Sequence, residues 1–108
     1  MKYSVYILTN FKKTVFYTGV TNDLSQRLVE HFLDRGNTHS FTGRYHVNNL
    51  VYYQDFKYVN DAIAWEKVIK GWRREKKIHI IKLFNPKMDF LNVELLGKWP
   101  PNDTFHRK

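Results

Sequence analysis

The sequence predicts an α+β domain: a small antiparallel β-sheet of about three strands flanked by helices, in the order ββαβαα. Three patterns carry that prediction. Residues 3–9 and 14–20 are both rich in β-branched and aromatic residues, and only Asn10, Phe11, Lys12 and Lys13 separate them. Residues 24–33 place Leu24, Leu28 and Phe32, then Val29 and Leu33, at a helical period. Further on, Ala62, Trp65, Ile69 and Trp72 follow 3-4-3 spacing, the buried stripe of a second helix.

The first two strands form a hairpin if the four residues 10–13 close the turn. Thr9 then pairs with Thr14, and the partners' numbers sum to 23 throughout. Tyr6 faces Tyr17 in that register, on one side of the sheet, with Cβ atoms roughly 5 Å apart. Thr21, Asn22 or Asp23 caps the first helix, and Arg27 and His31, four apart, share one of its faces. Residues 34–40 are a polar connector containing Gly36. Residues 50–56 read as a third strand. Asn60 or Asp61 caps a second helix running to about Arg74, and residues 76–84 form a third, ended by Asn85 and Pro86 because proline disfavours helix in the preceding residue. One domain over residues 1–95 is expected, followed by a loose tail over 96–108.

Composition narrows the class of function. The 108 residues suffice for one apolar core. Lysine and arginine exceed aspartate and glutamate by 18 to 10, a net charge of +8, which calls for an anionic partner. The absence of cysteine excludes disulfides, thiol nucleophiles and Cys-type zinc sites. With no long apolar run and no basic-then-apolar leader, neither a membrane span nor a signal peptide is expected, and the cytoplasm is the expected compartment.

Tyr6, Tyr17, Arg27 and His31, converging from a hairpin and the next helix, suit chemistry on a phosphodiester. The bland alternative is an aromatic cross-strand pair beside a solvated helix face. Gly19, directly after Tyr17 and Thr18, permits close approach of backbone or substrate, although one glycine near a strand end is also an ordinary turn residue. Glu66 lies beside the second helix's stripe with Lys70 one turn later, which by itself reads as a surface ion pair worth roughly 0.3–0.5 kcal/mol. Six of the eleven residues 67–77 are basic. Some of these side chains would track a phosphate backbone and others only solubilise the surface; Trp65 and Trp72 read as core. His39, His46, His79 and His106 lack ligand-like spacing, so no zinc site is expected.

These residues together resemble the GIY-YIG nucleases. Ser4, Val5 and Tyr6 stand where the first motif has Gly-Ile-Tyr, and Tyr17, Thr18 and Gly19 where the second has Tyr-Ile-Gly; each tyrosine is kept. Thr21, Leu24, Arg27, Leu28 and His31 match the family's helix. Phe41, Thr42 and Arg44, followed by residues 50–53, resemble the third-strand region of short bacterial members. Ala62, Glu66, Ile69, Lys70, Arg74, Lys76, Lys77, Ile80, Ile81, Asn85 and Pro86 resemble their C-terminal half.

The resemblance implies a metal-dependent endonuclease acting on DNA, in repair or recombination, with RNA an open second substrate. It implies one Mg²⁺ or Mn²⁺ held by Glu66, Arg27 stabilising charge on the phosphate, and Asn85 helping to position the site. The base that deprotonates water stays open between Tyr6 and His31, with Tyr17 orienting the water. Arg44, Lys70, Arg73, Arg74, Lys76 and Lys77 are the expected nucleic-acid contacts. The alternative is a basic nucleic-acid-binding module that keeps the fold without cutting. A structural RNA-associated protein ranks below both, since charge alone supports it.

Overall fold

The most apolar strand of the sequence takes the centre of the sheet. In the computed structural model, which describes residues 2–101, the elements are β1 (Tyr3–Thr9), β2 (Phe16–Thr21), α1 (Leu24–Leu33), α2 (Phe41–Arg44), β3 (Asn49–Phe56), α3 (Val59–Lys70), α4 (Arg74–Phe84) and α5 (Asn92–Leu96). The sheet order is β2-β1-β3, antiparallel on both sides of β1. None of these helices is long and apolar enough to cross a membrane.

β1 alternates between two unlike layers. Val5 and Ile7 face a core built with Val51, Ala62, Ile69 and Ile81, so α3 and α4 cover that side. Tyr6 and Leu8 face the other, with Leu24 and Leu28 of α1, Val47, Leu50, and Leu95 and Leu96 of α5. Full burial of a side chain such as Leu28 or Ile69 contributes about 1.5–3 kcal/mol.

The hairpin register differs from the expected one. Partner numbers sum to 25: Thr9 pairs with Phe16, Leu8 with Tyr17, Ile7 with Thr18 and Tyr6 with Gly19. The cause is a longer loop. Asn10 Oδ1 accepts from the backbone N–H groups of Thr14 (2.8 Å) and Val15 (3.1 Å), and Thr9 Oγ1 donates to the Val15 carbonyl at 2.8 Å. These bonds keep residues 10–15 as a six-residue turn and start β2 at Phe16. A shift of two leaves side chains on their expected faces, so Tyr6 and Tyr17 still share a face, now as diagonal neighbours.

Helix boundaries also move. Asp23 caps α1, its side chain accepting from Gln26 N–H at 3.1 Å. Residues 41–44, expected near a strand, form a helical turn capped by Ser40. The second helix stops at Lys70 rather than Arg74, since Gly71 follows and Arg73 turns extended, and it starts after Tyr58 without a side-chain cap. The basic stretch is therefore split between two helices.

Asn85 caps α4, and its amide donates to the carbonyls of Val51 (3.0 Å) and Asp89 (2.8 Å). Asn92 Oδ1 accepts from the Leu50 N–H at 2.8 Å, and the Leu91 N–H donates to the Leu50 carbonyl at 2.7 Å. Together they tie the chain after α4 along β3. The tail expected to be loose from residue 96 is packed as far as Pro101: Leu96 ends α5, and Trp99 stacks edge-on against Phe32 at 5.2 Å. The remainder of that expectation, residues 102–108, lies outside the described residues.

Candidate active site

A cleft of about 450 Å³ opens where β2, α1 and α2 meet, lined by Tyr17, Arg27, Glu30, His31, Asp34, Ser40, Phe41 and Thr42. The hairpin carries Tyr17 to it and the first helix carries Arg27 and His31, so three of the four residues singled out in the N-terminal third line one space. Tyr6 stands behind them, only 1% exposed, with its hydroxyl 3.0 Å from His31 Nε2. The rings form a triangle: Tyr6–Tyr17 6.3 Å, Tyr6–His31 5.9 Å and Tyr17–His31 5.5 Å between centroids.

Gly19 makes this packing possible. A Cβ there would lie 2.6 Å from Tyr6 Oη and 2.7 Å from Tyr6 Cζ, closer than any side chain tolerates. The cross-strand partner of Tyr6 must therefore be glycine, because the tyrosine ring lies across it.

The electrostatics follow from burial. His31, 4% exposed, has its pKa pushed down to about 4, first by desolvation and then by the positive charge of Arg27. Tyr6 is pushed up to about 12, chiefly by burial, with Tyr17 adding and Arg27 opposing. Both are neutral at neutral pH. The second His31 nitrogen, Nδ1, lies 3.3 Å from Thr42 Oγ1, so the imidazole is held at both ends. Arg27 donates to Glu30 at 2.9 Å, which raises its pKa further and holds Glu30 below the usual carboxylate range, with Gln26 assisting. Asp34 is lowered likewise by the Ser40 hydroxyl (2.5 Å) and the Asn37 amide (2.8 Å). A neutral, doubly anchored histidine, a buried tyrosine bonded to it and a permanent cation at the cleft suit proton transfer beside an anion.

Glu66 is not among the residues lining this cleft. It sits on α3, across the sheet, where its carboxylate accepts from Lys70 at 2.8 Å, the surface pair that the helix spacing alone suggests. Its side chain is nevertheless only 13% exposed. Trp65 and Glu66 flank the Ala62–Ile69 line on opposite sides. Trp65 Nε1 donates to Tyr52 Oη on β3 at 3.1 Å, so the Glu66 flank turns toward β2, the edge strand that carries Tyr17. Glu66 thus approaches β2 from the face opposite Tyr17. Among the described residues no group of three or more His, Asp or Glu gathers as a metal cage. A lone, partly buried carboxylate does fit a hard cation whose other ligands are water and phosphate oxygens.

The expected nucleic-acid contacts divide. Lys70 is engaged by Glu66, and Arg44 donates twice to the Thr38 carbonyl. Arg74 bonds the Thr14 carbonyl and lies over the Phe16 ring, and Lys76 lies 4.6 Å from the centre of the Trp72 ring. These four brace the fold with part of their side chains. Arg73 is exposed at the turn between α3 and α4, and Lys77 is half-buried on α4. Asn85 lies away from the cleft, in the β3 tether described above.

Sequence reasoning missed Thr42, Glu30 and Phe41 as parts of the cleft. Glu30 was legible three residues after Arg27, as a helix-face partner. Thr42 and Phe41 had only their place in the third-strand motif, because nothing local reveals that the connector folds back onto α1.

The sequence pattern of the GIY-YIG catalytic domain matches residues 2–87. Among solved structures, the chain is similar to the solution NMR structure of the UPF0213 protein BH0048 from Bacillus halodurans, at 31% identity over 77% of this chain and 85% of that one, with a TM-score of 0.48. No curated protein matches the chain. With the motif tyrosines, arginine and histidine placed together at one cleft, the match over most of its length makes this chain a member of the GIY-YIG catalytic-domain family, with a function of the nuclease type.

Proposed function

We propose that the protein is a divalent-metal-dependent endonuclease that hydrolyses DNA phosphodiester bonds at the Tyr17–Arg27–His31 cleft. The observation that carries this reading is the Tyr6–His31 hydrogen bond, 3.0 Å long, between two groups that are both neutral at neutral pH. Free tyrosine is a poor base, and one raised to about 12 is poorer still. Paired with His31 it need not ionise. As water attacks phosphorus, the Tyr6–His31 pair, which meets the cleft at His31, takes its proton; the bond to the leaving oxygen breaks, and that oxygen is protonated from solvent. Thr42 keeps the imidazole oriented through Nδ1. Tyr17, facing the cleft, orients the attacking water. Arg27 exchanges part of its bond with Glu30 for the phosphate's non-bridging oxygens, where negative charge grows.

Glu66 is the residue that would hold Mg²⁺ or Mn²⁺. When bound there, the ion would polarise the phosphate and stabilise the leaving oxygen. A phosphate engaging both would have to lie over β2, the edge of the sheet, between the Tyr17 side and the Glu66 flank. Lys70, half exposed, would have to leave the carboxylate for the ion to bind there.

Cleavage of plasmid, branched DNA and RNA with Mg²⁺, Mn²⁺ or EDTA tests the reading. DNA should be cut only with metal. Arg27→Ala should lower the rate about 10²–10³-fold. Glu66→Gln, which removes the charge that would hold the ion, should abolish metal-dependent cutting while DNA affinity is kept. Metal-independent cutting would overturn the metal dependence, and no cutting of any nucleic acid would make the non-catalytic binding module the better reading.

A further inference from the structure

We infer that Phe41 and Tyr45 form a stacking platform for an unpaired nucleobase, so that the preferred substrate is DNA with a single-stranded nucleotide at the cleavage point rather than a continuous duplex. The inference rests on the nuclease reading above and specifies its substrate class.

α2 is only four residues long, yet it is firmly anchored. Ser40 caps it by accepting from Gly43 N–H at 3.0 Å, Thr42 is buried against His31, and a Cβ on Gly43 would strike the Asp34 carbonyl at 2.5 Å. Phe41 and Tyr45 project from this fixed turn with 49% and 44% of their surface exposed. They belong to neither of the two apolar clusters. Their rings lie 5.1 Å apart, and Phe41 lines the cleft with its ring 6.4 Å from that of Tyr17. Exposed aromatic surface at the rim of a polar cleft gains nothing for folding. Other large apolar side chains are more exposed, Phe11 and Leu83 among them, but this pair sits at the cleft, where it can meet a ligand.

The chain's charge of +8 selects the chemistry of that ligand. A nucleotide offers a phosphate to Arg27 and a flat π-face to the ring beside it. In a continuous duplex both faces of each base are covered by neighbouring base pairs, so only an unpaired or extruded base can reach Phe41. Stacking on one aromatic side chain strengthens binding on the order of ten-fold per base and is indifferent to base identity. The platform therefore reads structure rather than sequence.

The test is a binding titration in EDTA with two DNAs: a short duplex carrying paired 2-aminopurine, and the same duplex with 2-aminopurine in a one-nucleotide bulge. The wild type should bind the bulged DNA about ten-fold more tightly and quench its fluorescence. The double variant Phe41→Leu with Tyr45→Leu keeps apolar volume and loses the π-faces. It should lose both the preference and the quenching and bind the paired duplex as the wild type does. Phe41→Trp should retain both effects, which guards against misreading a folding defect. Equal binding of the two DNAs by the wild type, binding of neither, or a preference kept by the double variant would overturn the proposal. Because binding is read without cleavage, quenching in a protein that never cuts DNA would sink the nuclease reading and leave the platform standing.

Discussion

The two sides of β1 are built on different physics, although their residues alternate along one strand. Val5 and Ile7 meet hydrocarbon from α3 and α4, and their stability comes from area removed from water, which has no direction. Tyr6, between them, faces the opposite layer and is held by the His31 ring, the absent side chain of Gly19 and the charge of Arg27. The first side tolerates substitutions that keep volume. The second depends on paired atoms, where removing one partner strands the other and costs the full desolvation of the orphan. The proposed catalytic cleft lies on the side that is less forgiving.

The largest effect of a single substitution on stability should come from Gly19. Gly19→Ala puts a methyl group 2.6 Å from Tyr6 Oη and 3.0 Å from Tyr17 Cε2, and the buried Tyr6 ring has no room to give. Overpacking of this kind costs about 1–3 kcal/mol. Denaturant unfolding should show that loss, together with loss of any cleavage activity. An alanine variant as stable as the wild type would mean that the tyrosine layer is as plastic as the apolar one.

Acid should also separate the two layers. His31 has a folded-state pKa of about 4, below its ordinary value of 6.5, so the unfolded chain binds the proton more readily. Stability should be full above about pH 6.5 and fall as the pH drops toward 4, on the order of 2–3 kcal/mol in all. Glu30 and Asp34, both lowered, add losses of the same sign only within the carboxylate range. Comparing wild type with His31→Gln between pH 4 and 7 isolates the histidine: the variant's profile should be flatter across the upper part of that window. Parallel profiles would show that His31 is not held neutral.

A smaller effect of opposite sign is expected on the apolar side. Thr18, opposite Ile7, faces the α3 layer, and among the described residues its Oγ1 is a buried side-chain oxygen without a hydrogen-bond partner. Thr18→Val replaces that hydroxyl with a methyl of the same shape and should raise stability by roughly 1 kcal/mol. A matching Thr42→Val, which takes the hydroxyl from His31 Nδ1, should instead lower it. If both substitutions moved stability in the same direction, the contrast between the layers would fail.

Much of this fold was legible from consecutive residues, because strand alternation, helix period and capping are local properties. The α+β class, the central hairpin, the α1 stripe of Leu24 and Leu28, and the shared face of Arg27 and His31 belong to that category. The remainder was decided by particular contacts, local and distant, that periodicity does not encode. Asn10 closed a six-residue turn and shifted the register by two, an outcome set by side-chain bonds to the loop backbone rather than by propensity. Gly71 split the basic helix, so that its charges point from two elements. Thr42 reached His31 across eleven positions because the connector folds back over α1. Glu66 shows the division most clearly. Its spacing to Lys70 foretold the ion pair, but only the packing of Trp65 on Tyr52 turned that flank of α3 toward β2. Periodicity determines which face a residue occupies; which neighbour it meets there is settled when the layers close around a common core.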